Sequence, residues 1–325
     1  MPLDSFGRDI HYLRISLTDK CNMRCVYCMS EEMVFQPNDE LLTTAEICRL
    51  VQIFARLGVD KIRLTGGEPT IHPDLIPIVQ GIRAAGITRI SMTTNGLRLT
   101  DLAQPLKEAG LERVNVSVDT LDPDRFHRVT RWEHLDHVLA GVHAAEAAGL
   151  TPIKINAVIA RGFNEHDVAD LARLTLAHPW QVRFIEMMPF GDVAGFAQSA
   201  TVSQAEIMQR IEGELGPLHP IAEARLDGEA RLYRLDGARA AVGFISTLTN
   251  PFCASCTRVR LTADGHLRLC LLRDDEGDVL TPLRRGATEV ELEDLIRSLI
   301  WRKPWGHGLP DGMIPLERVM SQIGG

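Results

Sequence analysis

Between residues 12 and 188 the chain alternates six times between short apolar runs and longer segments with helical spacing. The strand-like runs are 12–18, 61–65, 89–94, 113–119, 153–159 and 182–188. Between them, Thr43 and Glu46 form a capping-box signature ahead of Ile47, Leu50, Val51, Phe54 and Leu57, and Gly58 ends that helix. Further helices are expected over about 73–85, up to Gly110, as one long stretch up to Gly149, and over 167–176. Such alternation with short loops implies parallel strands and right-handed crossovers. Six units are two short of a closed eight-unit barrel, so the expected fold is α/β, an open partial (β/α)6 TIM-type barrel. Polar and glycine-rich residues collect where each strand ends: Gly66-Gly67-Glu68, Thr93-Thr94-Asn95 and Ser117-Val118-Asp119. In parallel architectures function gathers at that rim.

Past Met188 the pattern breaks. Residues 189–195 read as a linker, followed by a helix over 204–212 and short strands near 232–234 and 241–245. With 325 residues there is room for a barrel over 1–190 and a smaller C-terminal domain over 191–325. The net charge of −8 excludes a global basic field that would draw nucleic acid. No run of eighteen apolar residues occurs, and Asp4, Arg8 and Asp9 crowd the start, so neither a membrane span nor a leader is expected. The expectation is a cytoplasmic protein.

Six of the seven cysteines fall into two triads, Cys21/Cys25/Cys28 and Cys253/Cys256/Cys270. Cys48 sits inside the first helix, where packing explains it. A disulfide framework does not suit a long chain with an odd thiol count. A four-iron cluster normally takes one thiolate per iron, so a triad leaves one iron open to a small molecule. Zinc with a remote fourth ligand is the alternative, and for the second triad His266 is a candidate fourth ligand. Beyond that triad, Arg258 and Arg260 would share one face of an extended segment, which suits a polyphosphate. A solvated edge strand is the plainer account of that pair.

The spacing Cys-x3-Cys-x2-Cys, with Tyr27 before the last cysteine, resembles the radical S-adenosylmethionine (SAM) superfamily. Two triads together with Gly66-Gly67-Glu68-Pro69, Thr93-Thr94-Asn95-Gly96 and the terminal Gly324-Gly325 resemble, almost end to end, the GTP 3′,8-cyclase family of molybdenum cofactor biosynthesis. The resemblance implies two [4Fe-4S] clusters, the second carried by the C-terminal domain. Cys21, Cys25 and Cys28 would hold the first, with SAM on its open iron and Tyr27, Gly67, Ser117 and Met188 at the SAM site. Cys253, Cys256 and Cys270 would hold the second, facing the guanine of GTP. Arg14, Arg63, Thr93, Lys154, Arg258 and Arg260 match GTP-site positions, and Arg183 is a further candidate. Ion pairs with Glu68, Asp119 or Glu186 are the structural alternative for the cations inside strands.

The implied reaction starts with one-electron cleavage of SAM to methionine and a 5′-deoxyadenosyl radical, which takes the ribose 3′ hydrogen; the C3′ radical then adds to C8 of guanine, and one further electron plus a proton completes 3′,8-cyclo-7,8-dihydroguanosine triphosphate. Arg258, Arg260, Gly324 and Gly325 are implied as catalytic positions, the glycines entering as a tail. The family also implies hand-over of product to cyclic pyranopterin monophosphate synthase, a reductant of flavodoxin or ferredoxin type, and a homodimer. Two departures stand out: Ile71-His72 occupies a place where relatives commonly carry a basic residue, and Arg318-Val319-Met320 replaces the common arginine-proline-methionine. The competing hypotheses are a peptide-modifying radical SAM enzyme with an auxiliary cluster, and a zinc-stabilised binding protein.

Overall fold

The structure is a computed structural model that describes residues 2–221 and 230–324. Six parallel strands follow the expected order: β1 (Tyr12–Ser16), β2 (Lys61–Thr65), β3 (Arg89–Thr94), β4 (Arg113–Ser117), β5 (Lys154–Ile159) and β6 (Gln181–Glu186). They alternate strictly. Leu13 and Ile15, Ile62 and Leu64, Ile90 and Met92, Val114 and Val116 face the helix layer and are fully buried. The opposite face carries Arg14, Arg63, Thr93, Ser117, Asn156 and Arg183, and all of these line one cavity, so the sheet curls around it. A closed barrel fills its interior with branched apolar side chains. This one fills it with cations and hydroxyls.

The C-terminal strands are β7 (His219–Pro220), β8 (Arg231–Arg234), β9 (Val242–Ile245), β10 (Arg258–Leu261), β11 (His266–Arg268) and β12 (Glu276–Asp278). They extend the same sheet at both edges: β10 pairs in parallel with β1, and β9 in parallel with β6. The antiparallel strands β11–β12 and β8–β7 lie beyond them. The order β12-β11-β10-β1-β2-β3-β4-β5-β6-β9-β8-β7 leaves the barrel open, as expected, with a longer sheet than six units.

The first helix, Thr44–Arg56, has the capping box: Thr43 Oγ1 accepts from Glu46 N at 3.3 Å and Glu46 Oε2 from Thr43 N at 2.8 Å. Its Ile47, Leu50, Val51, Ile53 and Phe54 are buried, each stabilising by roughly 1.5–3 kcal/mol. Cys48 packs on Gly81, where a Cβ would lie 2.4 Å from its sulfur. Two expectations need correction. The long stretch before Gly149 is two helices, Pro123–Thr130 and Leu135–Ala147, broken at Arg131 in the left-handed region (φ 57°). The break frees the carbonyls of Val129 and Thr130 to accept from Val26 and Arg24 of the cysteine loop at 2.9 and 3.0 Å. The expected linker contains a 3-10 turn, Gly191–Val193, and a helix, Ala194–Ala200, whose alanines pack on Met187.

Candidate active site: two thiol triads around one cation-lined cavity

The first triad lies on the loop after β1, held from below by the loop after β2. Gly67 N donates to Thr18 O at 2.7 Å and Glu68 N to Lys20 O at 2.8 Å. A Cβ on Gly67 would stand 2.1 Å from the Lys20 carbonyl oxygen. The glycine is therefore demanded by the cysteine loop itself, before any ligand is considered. The Glu68 carboxylate accepts from Thr70 N and Oγ1, Thr94 Oγ1 and Asn95 N at 2.6 to 2.9 Å. Asn95 in turn donates to Asn22 Oδ1 at 2.7 Å, inside the triad's loop. Tyr27 Oη donates to Asp119 Oδ2 at 2.6 Å, and Asp119 Oδ1 accepts from Val158 N at 2.8 Å. Burial raises Asp119 to about 6 despite these donors.

Burial pushes the Cys21 thiol up to about 11 and the Cys28 thiol up to about 12, and raises Cys25 as well; for Cys25 and Cys28 the neighbouring thiols add to it. Three clustered thiols that resist ionisation are poorly served by protein alone, and a metal centre that takes up thiolate charge resolves the conflict.

The second triad comes from the 3-10 turn Cys253–Ser255, from Cys256 and from Cys270 after β11. Here too burial raises Cys253, with Cys270 and Cys256 adding to it. Arg8 ties it to the chain's start, donating to Cys253 O at 2.8 Å and Pro304 O at 2.6 Å while pairing with Asp4 at 2.6 Å. This clamp was not legible beforehand. His266, the candidate fourth ligand, instead pairs with Asp264 at 3.2 Å and does not line the cavity. His307 does line it, as does Lys303, and neither had a sequence signal beyond its type.

Both triads open on the same cavity, together with Arg14, Tyr27, Arg63, Gly67, Thr93, Ser117, Arg183, Met188, Arg258 and Arg260. Lys154 is not at its surface; it faces inward one layer nearer the amino ends of the strands, opposite Asn115 and Gln181, and is buried. Asn156 Oδ1 accepts from Arg183 Nε and Nη2 at 2.9 and 2.6 Å. With its amide oxygen toward the guanidiniums, Asn115 accepts from Arg183 Nη2 and Arg63 Nη1, both at 2.9 Å. The three carboxylates considered as ion-pair partners are engaged by other donors. Glu186, for example, accepts from Leu248 N and Thr249 N at 3.1 Å. Burial and then the nearby Arg14 press Arg258 down to about 9, and lower Arg260 further. Such crowding is relieved by an anion.

The tail enters this space. Gly324 O accepts from Arg260 Nη1, and a Cβ on Gly324 would lie 2.5 Å from Ser16 Oγ and 2.6 Å from Thr65 Cγ2. Upstream, the Ser321 amide reaches the Cys28 sulfur, and Arg318 pairs with Glu276 at 2.6 Å and Asp264 at 2.9 Å. Gly325 lies outside the described residues. His72 is structural: its Nδ1 accepts from Asp74 N at 3.1 Å, after the turn Pro69–Ile71.

Comparison with known proteins agrees with this arrangement. Residues 15–175 match the radical SAM superfamily, and residues 180–309 match the molybdenum cofactor synthesis C family. A GTP 3′,8-cyclase of Moorella thermoacetica is 46% identical over 324 residues, covering 99% of both chains. That of Heliobacterium modesticaldum is 46% identical over 329 residues, covering 99% of this chain and all of the relative. In fold the chain is similar to Streptococcus suis SuiB bound to S-adenosylmethionine, with TM-score 0.58, 15% identity, and coverage of 89% of this chain and 68% of that one. With relatives this close over their whole length, and with both thiol triads facing one cavity, the chain belongs to the GTP 3′,8-cyclase family of radical SAM enzymes.

Proposed function

We propose that this chain converts GTP to (8S)-3′,8-cyclo-7,8-dihydroguanosine 5′-triphosphate, the first step of molybdenum cofactor biosynthesis. The observation that carries the reading is one cavity lined by two thiol triads and by Arg14, Arg63, Arg183, Arg258 and Arg260. Cys21, Cys25 and Cys28 would hold a [4Fe-4S] cluster which, with SAM on its open iron, supplies one-electron chemistry. Gly67, Tyr27, Ser117 and Met188 would hold SAM, with Asp119 fixing the tyrosine. Cys253, Cys256 and Cys270 would hold a second [4Fe-4S] cluster and the guanine. The arginines, with Lys154 behind them and Thr93 beside them, would orient the triphosphate so that the ribose faces SAM. The tail, Gly324 with Gly325 after it, would assist SAM activation, a role supported by the position of Gly324 beside Arg260.

A division into a barrel over 1–190 and a C-terminal domain over 191–325 suits this division of labour, SAM on the first and purine on the second. No described helix is long and apolar enough to cross a membrane, which is compatible with work in the cytoplasm. A reductant of flavodoxin or ferredoxin type, a homodimer and hand-over to cyclic pyranopterin monophosphate synthase complete the reading. A peptide-modifying enzyme fits less well, because only Cys48, packed in a helix, remains as a further thiol.

The test is anaerobic reconstitution followed by incubation with SAM, dithionite and GTP. Chromatography with mass analysis should detect deoxyadenosine and a cyclised nucleotide isomeric with GTP, of the same mass but separated from it, with the triphosphate retained. Colourless protein containing zinc, or deoxyadenosine without any GTP-derived product, would overturn the reading.

A further inference from the structure

Behind the arginines of the cavity stands a tyrosine. Tyr12 opens β1 on the same face as Arg14, is 3% exposed, and its hydroxyl has no hydrogen-bond partner among the described residues. A buried polar atom left alone calls for a physical reason. Its surroundings are cationic. In register it sits between Arg258 on β10 and Lys61 on β2. Lys61 Nζ lies 4.2 Å from the ring centroid, and the guanidinium carbons of Arg63 and Arg14 lie at 5.7 and 5.8 Å. Arg89 and Arg113 act on Lys61 from β3 and β4, and pair with Asp60 and Glu112 at 3.1 and 3.8 Å. Burial alone would keep the phenol protonated, but Arg63, Arg14, Lys61 and Arg258 outweigh it and bring Tyr12 down to about 7. Burial likewise lowers Lys61, to about 8.

We propose that Tyr12 is a positioning residue, a resident counter-charge beside the polyphosphate site. As phenolate it offsets part of the charge of Arg14, Lys61, Arg63 and Arg258 before substrate arrives, and it takes one proton from solvent when anionic phosphate oxygens enter. The ligand's identity rests on the GTP reading; the ionisation belongs to the ligand-free chain. The sign follows from linkage. Phosphate raises the phenol's proton affinity, so binding weakens as pH rises above about 7, by up to about tenfold per pH unit.

The chain has three tyrosines, which makes the group readable. In anaerobically reconstituted, ligand-free protein labelled with carbon-13 at tyrosine Cζ, one signal should titrate near pH 7, vanish in Tyr12→Phe, and return to the neutral phenol position on adding GTP. Calorimetry of GTP binding in two buffers of different ionisation enthalpy, near pH 8, should show proton uptake that Tyr12→Phe loses. Proton release by GTP itself is common to both proteins and cancels. The phenylalanine keeps the ring face over the cations, so a purely structural role would leave the proton count unchanged. Equal uptake in the two proteins, or three tyrosines all titrating above about pH 9, would overturn the proposal. A neutral-range tyrosine in protein that binds no GTP would support the phenolate and overturn the substrate assignment instead.

Discussion

The two thiol triads face one cavity but are built in opposite ways. The first is a single loop of eight residues, braced by Gly67, Glu68 and Asn95 from neighbouring strand ends and by the carbonyls of Val129 and Thr130. The second is gathered from a turn, the end of a hairpin and an arginine at the other end of the chain. Their charge environments differ too. Around the first stand Glu68, Asp119 and Tyr27, and beside the second stand Arg258 and Arg260. A sulfonium suits the one side and a triphosphate the other. The cavity is thus polarised by its walls, and ligand order across it needs no moving part.

The largest expected effects separate the triads. Cys28→Ala should lower bound iron from about eight to about four per chain and abolish deoxyadenosine formation. Cys256→Ala should lose as much iron yet still cleave SAM, giving no cyclised nucleotide. Iron and sulfide analysis with product detection checks both; loss of all iron from either variant would break the picture of independent construction. Next, Gly67→Ala should mimic Cys28→Ala in iron content, because its Cβ would meet the Lys20 carbonyl at 2.1 Å. Gly306→Ala, 3.3 Å from the Cys253 sulfur, should keep near-normal iron. Similar losses in the two would mean that the second triad is as tightly braced as the first.

A smaller effect is expected for the tail. Arg318→Ala removes the pairs to Glu276 and Asp264 and should slow cyclisation about tenfold, roughly 1.4 kcal/mol, with both clusters and GTP affinity retained. Residues appended after Gly325 should suppress turnover in the same selective way, measured as product per unit of iron.

The smallest concerns stability on the first triad's side. Asp119 binds its proton more tightly folded, near 6 against an ordinary 3.8, because burial disfavours the carboxylate. Its favourable contribution is complete below about pH 4 and lost as pH rises through about 6, leaving a penalty of roughly 3 kcal/mol at neutral pH. Asp119→Asn should therefore melt higher than the parent at pH 7.5, with the gap narrowing toward pH 5.5. A gap of constant size would assign the effect to packing instead of charge.

Much of this arrangement can be read from residue order. The period-two strands from Tyr12 to Glu186, the glycines that follow them and the capping box at Thr43 are local signals, and they place the barrel and its rim. What eludes such reading is decided across space. Arg131 carries no glycine or proline beside it, yet it breaks a helix because the cysteine loop needs the freed carbonyls. The short strands Val242–Ile245 and Arg258–Leu261 are legible as extended, but their parallel seats at opposite edges are not. Lys154 has the residue type of a ligand-site cation and stands one layer behind the cavity wall, a matter of register. Asp4 and Arg8 look like ordinary surface charges until the second triad is found above them.

The seating of β9 and β10 at the two margins of the barrel has a consequence for biogenesis. Until residues 242–261 have been made and have docked, β1 and β6 each present a bare row of amides and carbonyls, the template on which other chains add. The contacts that cover them span long stretches of sequence and so form late. A fragment ending near residue 190 should consequently aggregate when expressed alone, and any chaperone or cluster-loading factor that meets the nascent barrel meets it with both flanks exposed.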